Sequence, residues 1–354
     1  MRRSRATFKT SHLKRTALFK YFVIPVTTFL FRGIARLMGV LPPRGVYAVA
    51  RSFGLLIWYA GAKRRKIAIR NLEIAFGDEY SPKERRRIAR RSVQHFSMTA
   101  FDVFLLPRYR GDDWRARVTF TDEQKATLDR LAAHTGPVAF HNAHMGSWEF
   151  STGVANYMGK TLGVVYRPLE FAPIDEEIRR LRTSQGVRAY AKKGALKGYL
   201  KTLKNNEWLG VIADQNAGRN AAFVDFFGVP ASTEASYFPL YFRFDTLACA
   251  GFAIREGFDF RFRIDGLYTT AIDRSADPLD ESMRLAQWYM ACVENAVRKH
   301  PEQHNWMHKR WRSRPNGAPS LYENLGKPLD RRLLQQQPEA PIRPAKWREA
   351  KQRI

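Results

Sequence analysis

From residue 136 onward the chain alternates short apolar runs with segments of helical period. The runs at 137–140, 162–166, 208–213 and 247–254 read as strands, and the stretches 150–157, 174–185, 195–205 and 234–244 read as helices. Strand and helix taking turns at this spacing predict an α/β core, a mixed but largely parallel sheet flanked by helices. Residues 258–264 alternate apolar with charged positions, as an exposed antiparallel strand does. A helix over 279–300, closed by basic residues and Pro301, completes this half.

The N-terminal part is patterned differently. Apolar runs at 21–31 and 55–60 are punctuated by Arg and Lys, and no Asp or Glu occurs before Glu73. The run 17–31 is interrupted by Lys20 and falls short of the ~20 residues that a membrane span needs. It predicts an anchor, spanning or lying in the interface. The basic stretch 1–15 before it has the composition of a targeting peptide, yet no small-residue cleavage site follows Phe31. A second apolar helix over 45–62 ends in Lys63-Arg64-Arg65-Lys66, where both a helix C-terminus and phospholipid headgroups favour cations. Ser81 with Glu84 forms the signature of a capping box and opens an amphipathic helix over 81–106; residues 112–130 read as a short strand and a helix. The expected organisation is a basic anchor segment, 1–40, a main domain, 41–316, and a Pro- and Arg-rich tail, 317–354, that should be poorly ordered.

Composition sharpens this picture. At 354 residues and 45% hydrophobic the chain can build a sizeable core, so it is not a disordered protein. A formal net charge of +27 calls for polyanionic partners. Basic residues interleaved with apolar runs fit a phospholipid surface rather than a nucleic-acid groove, and no nucleic acid is expected. Cys249 and Cys292 are far apart among apolar neighbours, which suits buried thiols in a reducing compartment. Neither a P-loop nor a dinucleotide fingerprint is present, so the sheet does not argue for a nucleotide cofactor.

Ligands of open α/β sheets sit at the carboxyl ends of the strands. Three polar loops leave those ends here. The first holds His141, His144 and Glu149; the second is Tyr166-Arg167-Pro168; the third is Asp214-Gln215-Asn216, followed by Gly218-Arg219 and Phe226-Phe227-Gly228. Five residues separate His144 from Glu149, about 140° on a helix, so the two meet only if the chain bends between them. Gly146 permits that bend, and Ser147 is a suitable N-cap. A histidine held by a carboxylate is the core of a general base. Zinc is the weaker reading of His141, His144 and Glu149, because no His-Glu-x-x-His or Cys cluster accompanies them. His304 and His308, four residues apart, have a metal-like spacing but read rather as ordinary hydrogen-bonding or exposed histidines beside Trp306 and Trp311. No Gly-x-Ser-x-Gly elbow supports a serine nucleophile.

His144-Met145-Gly146-Ser147-Trp148-Glu149 resembles the His-x4-Asp/Glu box of glycerolipid and lipid A acyltransferases, and its interior resembles the bacterial lipid A biosynthesis acyltransferases in particular. Arg70-Asn71-Leu72, Tyr166-Arg167-Pro168, Asp214-Gln215, Phe226-Phe227-Gly228, Ala231, Thr233, Trp306, Arg310, Trp311 and Arg314-Pro315 follow that family's blocks in order, over residues 37–315. Glu170 stands where the family carries a neutral polar residue, a departure that bears on the acceptor.

The resemblance implies that 41–316 is an acyltransferase domain. It would move an acyl chain from an acyl-carrier-protein or coenzyme A thioester to a hydroxyl of a lipid A precursor or related anionic glycolipid, at the cytoplasmic face of a bacterial inner membrane and in contact with its phospholipids. His144 would be the general base and Glu149 would orient it. Arg167, Asp214, Gln215 and Arg219 would bind substrate; Met145, Trp148, Phe226 and Phe227 would line an acyl groove. No metal or other cofactor is implied. The rival expectations are another acceptor, such as a phosphatidylinositol mannoside or lysophospholipid, or a non-catalytic basic lipid-binding protein on the same scaffold.

Overall fold

The computed structural model describes residues 19–335, apart from 192–193, 220 and 316–317. The basic stretch 1–15 and the end of the chain, 336–354, lie outside the described residues. A π-helical turn, Phe19–Val23, runs into α1 (Ile24–Val40), and Pro42 breaks the chain before α2 (Pro43–Ala60). Helix α1 continues well past Phe31, where the apolar run of the sequence ends. Arg32, in that continuation, is tied to the protein by its Nε, which donates to Glu177 at 2.7 Å. Over Tyr21–Val40 the helix is long and apolar enough to cross a membrane by length and composition. Phe22, Phe29 and Leu37 of this stretch, with Leu56 and Tyr59 of α2, present apolar surface to the outside.

Lys63 to Lys66 do not close α2. They open α3 (Ala62–Phe76), which Gly61 alone separates from it. Arg65 still serves the carboxyl end of α2, since its Nη1 reaches back to the Trp58 carbonyl at 2.7 Å. In α4 (Pro82–Leu105) the capping box is complete: Ser81 accepts from the Glu84 amide, and Glu84 accepts from the Ser81 amide at 2.9 Å. Next come α5 (Gly111–Arg115), β1 (Val118–Thr119), α6 (Asp122–Ala133), β2 (Val138–Asn142), α7 (Trp148–Ser151), α8 (Gly153–Tyr157), β3 (Leu162–Tyr166) and α9 (Ala172–Thr183). The series continues with β4 (Val187–Ala191), α10 (Ala195–Lys204), β5 (Trp208–Ile212), a hairpin of β6 (Ala222–Phe226) and β7 (Val229–Thr233), α11 (Pro239–Arg243), β8 (Leu247–Arg255), β9 (Phe262–Thr270), α12 (Pro278–Lys299) and α13 (Arg332–Gln335).

Seven strands form one sheet in the order β1-β9-β8-β2-β5-β3-β4. Every neighbouring pair is parallel except β8 with β9. Side chains of β2 alternate between the faces: Val138 and Phe140 join one buried cluster and Ala139 joins the other. Both faces are covered by helices, which is why this strand reads as a continuous apolar run. The antiparallel strand expected at 258–264 starts at Phe262, because the Glu256 amide bonds the Arg261 carbonyl and makes the preceding residues a turn.

The tail corrects an expectation. Residues beyond 317 are folded at least through 334: Leu321 is buried, the Tyr322 hydroxyl donates to Asn71 Oδ1 at 2.5 Å, and Arg70 Nη1 donates to the Leu321 carbonyl at 2.9 Å. Low apolar content does not prevent a segment from packing when α3 offers it hydrogen-bond partners.

Candidate active site

Strands β2 and β5 are parallel neighbours, with Asn142 opposite Ile212. Two residues past that pair on each strand stand His144 and Asp214. The His144 amide donates to Asp214 Oδ2 at 2.9 Å, and His144 Nδ1 lies 2.6 Å from Asp214 Oδ1. Asp214 is buried, while the His144 side chain remains 26% exposed. With Nδ1 as the donor to the carboxylate, Nε2 is the imidazole nitrogen left for a proton from outside.

The loop between β2 and α7 is stitched down on both sides. Met145 forms a bridge with His304, the Asn305 amide donates to the His144 carbonyl at 2.9 Å, and the Gly146 amide donates to the Gln303 carbonyl at 3.0 Å. The Ser147 amide donates to the Ala253 carbonyl of β8 at 2.8 Å. Gly146 has φ +54°, and a Cβ there would stand inside the van der Waals radius of that same carbonyl oxygen. Ser147 caps α7 by accepting from the Phe150 amide at 3.1 Å, as its place before the helix predicts.

Below this loop lies an ion pair that the sequence did not reveal. Arg255 of β8 donates to Asp102 of α4 at 2.6 Å, and both side chains are fully buried. Asp102 also accepts from the Tyr47 and Ser147 hydroxyls, each at 2.5 Å, and Thr99 Oγ1 donates to the Gly146 carbonyl at 2.6 Å. The pair thus holds the loop from beneath.

Glu149 is placed otherwise than expected. The bend at Gly146 starts α7 in a direction that takes Glu149 to α9, where Arg182 grips it from two nitrogens: Nε at 2.9 Å from Oε2 and Nη2 at 2.5 Å from Oε1. Glu149 is buried and Arg182 mostly so. The carboxylate on His144 is Asp214, so the expected orienting contact of Glu149 on His144 is replaced by a carboxylate from the adjacent strand end. In the sequence Arg182 is one of several arginines on an amphipathic helix, and no local spacing ties it to Glu149.

The remaining candidates divide by exposure. Arg167 and Arg219 are exposed, and Gln215 is half-buried beside Asp214. Trp148 is half-buried with its ring 5.3 Å from that of His144. Met145, Phe226 and Phe227 are core residues: Phe226 stacks on Trp311 at 5.6 Å and Phe227 meets Phe76 at 5.0 Å. All three, expected to line a groove, are buried in one apolar cluster of the structure. His141 is buried against Phe238, with Tyr241 3.2 Å away. Among the described residues no group of three His, Cys, Asp or Glu side chains is arranged to hold a metal ion.

Burial disfavours charge on Asp214, yet the His144 ring, its two hydrogen bonds and His304 hold the carboxyl well below the ordinary carboxylate range. Burial pushes His304 and His308 down to about 4, so both are neutral near pH 7. Neutral His308 accepts the Asn216 amide on Nε2 at 3.0 Å and thereby fixes the loop that carries Asp214.

A largely parallel sheet with an imidazole braced by a buried carboxylate at its strand ends places this chain among the α/β proteins whose candidate site lies at the carboxyl ends of the strands. Residues 14–313 match the family described as bacterial lipid A biosynthesis acyltransferase, and the chain belongs to that family. It is 26% identical over 305 residues to the lipid A biosynthesis lauroyltransferase of Escherichia coli (strain K12), covering 83% of this chain and 94% of the relative. The lipid A biosynthesis palmitoleoyltransferase of the same organism and the lipid A biosynthesis acyltransferase of Shigella flexneri are each 25% identical over 264 residues, covering 73% of this chain and 82% of the relative.

Proposed function

We propose that this protein transfers a fatty acyl chain from an acyl-carrier-protein or coenzyme A thioester to a hydroxyl of a lipid A precursor, at the cytoplasmic face of the inner membrane. The observation that carries the reading is the His144–Asp214 contact at 2.6 Å on a partly exposed imidazole at the strand ends. Family membership and the names of the relatives supply the acyl group and the acceptor class.

An unactivated hydroxyl is a weak nucleophile near neutral pH. His144 Nε2 takes its proton as the oxygen attacks the thioester carbonyl, and the ring then carries a positive charge that Asp214 stabilises from Nδ1. Collapse of the tetrahedral intermediate breaks the C–S bond, and the imidazolium returns the proton to the departing thiolate. One ester forms and one thiol leaves, with no acyl-enzyme and no redox change. Glu149 acts at one remove in this reading, since its bond to Arg182 fixes α7 against α9 and so fixes the loop. Exposed Arg167 and Arg219 are the cations available to acceptor or carrier phosphates, for which a planar guanidinium is suited.

The test is incubation of the purified protein with labelled acyl-carrier thioester and a lipid A precursor, followed by mass spectrometry of the lipid. A product one acyl chain heavier, lost in His144→Ala, is expected; unchanged turnover in that variant overturns the reading. Salt-sensitive lipid binding without thioester consumption would instead make the protein a binding scaffold.

A further inference from the structure

A cavity of about 530 Å³ lies between α1, the carboxyl end of α4 with the turn that follows it, and α9. Its composition is unlike that of an ordinary surface cleft. Four arginines, Arg32, Arg36, Arg108 and Arg180, line it against one carboxylate, Glu177. Glu177 is already engaged, accepting from Arg32 Nε at 2.7 Å and from Arg180 Nε at 3.2 Å. Arg108 spends only one of its nitrogens on protein, with Nη1 donating to the Gly39 and Leu41 carbonyls at 3.0 and 2.8 Å. Among the described residues no salt bridge engages Arg36 or Arg108.

The cavity is also amphipathic. Ala35, Phe104 and Leu181 form a buried apolar floor, and Val40, which lines the mouth, is 74% exposed on the helix that presents Phe29 and Leu37 to the outside. Several like charges facing one concavity over an apolar floor repel one another unless an anion joins them, and such clefts concentrate anions. Guanidinium groups favour phosphate oxygens, which two nitrogens can hold at once. A phosphate carried by an amphiphile satisfies rim and floor together. The volume suits a headgroup, leaving acyl chains beside the apolar side of α1.

We propose that this cavity binds the phosphate of an anionic phospholipid headgroup, seating α1 on the bilayer through a defined lipid site separate from His144. It does not depend on the acyl-transfer reading, because binding is measured without turnover. The same chemistry could come from free phosphate, and the experiment separates the two sources. Full-length protein in neutral-detergent micelles is titrated calorimetrically with dihexanoyl phosphatidylglycerol, dihexanoyl phosphatidylcholine and inorganic phosphate. Saturable single-site binding of phosphatidylglycerol is expected, at least about tenfold tighter than either alternative. The pair of substitutions Arg36→Gln and Arg180→Gln should weaken it at least about tenfold. Arg87→Gln with Arg90→Gln, the same loss of charge in the first half of α4, about 20–25 Å of helix away from Phe104, should leave it unchanged. Arg36→Gln alone, which disturbs no described ion pair, keeps the test decisive if the double variant unfolds, with an expected loss of about threefold. Equal binding by the cavity and control variants, or binding of phosphatidylcholine or inorganic phosphate as tight as that of phosphatidylglycerol, overturns the proposal.

Discussion

His144 and Asp214 meet because each stands two residues beyond a register pair, Asn142 and Ile212, on neighbouring parallel strands. Their contact is therefore set by the order of the strands, and the loop around the histidine, held by Gln303, Ala253 and Asp102, keeps it in place. A carboxylate placed this way is fixed by backbone hydrogen bonds on both strands and by the amide of His144 itself. Such a carboxylate can hold one tautomer of the ring through a catalytic cycle.

If Asp214 orients the base, Asp214→Asn should reduce kcat by about 10²-fold or more while leaving KM for both substrates nearly unchanged, since the amide can bond the wrong ring tautomer. Single-turnover assays on the folded variant check this. A kcat within about threefold of the parent would remove Asp214 from the mechanism.

Glu149 makes the opposite prediction. Removing one member of a buried ion pair costs about 3–5 kcal/mol, and nearer 2 here because the Arg182 side chain keeps 29% exposure. Glu149→Gln and Arg182→Gln should each lower the denaturant midpoint, and the double variant should lose less than their sum. If Glu149→Gln instead keeps full stability and loses turnover as His144→Ala does, Glu149 belongs with the base after all.

These two residues show where the sequence was legible and where it was not. The strands at 137–140, 162–166, 208–213 and 247–254 are legible as unbroken apolar runs, fully buried in β2 and nearly so in β8, less so in β3 and β5, and they place the loops of His144 and Asp214. What could not be read was the strand order. Only the adjacency of β2 and β5 tells which carboxylate faces the histidine, and the nearer residue in sequence was the wrong one for that contact. Arg182, Arg255 and Asp102 escaped notice for the same reason, as their partners are 33 and 153 positions away. Strand β4 and the β6–β7 hairpin leave no legible period in the sequence, because Val187–Ala191 and Ala222–Phe226 are too short and interrupted by polar residues.

Acid should destabilise the protein in a defined window. Burial depresses His304 to about 4 and His141 to about 3, whereas the unfolded chain protonates both near 6.5. Below pH 6.5 the unfolded state binds protons that the native state refuses, so stability is full above that pH and falls as pH drops toward 4. Over its full window the loss is on the order of 3 kcal/mol for His304 and 5 kcal/mol for His141. Asp214, depressed instead by His144, adds a further loss below about pH 4. Melting curves from pH 7.5 to 4.5 should show a falling Tm, with a shallower slope in His304→Gln; an identical slope in that variant would rule out the assignment for His304.

The Asp102–Arg255 pair carries the last prediction. Both side chains are fully buried, and Asp102 accepts from Tyr47, Ser147 and Arg255 at once. Burial raises the Asp102 carboxyl above its ordinary value and Arg255 opposes that rise, so the arginine is what keeps the buried charge tolerable. Arg255→Met should therefore cost about 3–5 kcal/mol, measurable as a shift of the denaturant midpoint with an unchanged slope. Replacing both members, Asp102→Leu with Arg255→Met, should restore much of that stability, because no unpaired charge remains. It should not restore turnover: Ser147 loses its acceptor beneath the loop, and His144 loses the support that keeps its ring against Asp214. A double variant as active as the parent would show that the pair serves the core alone.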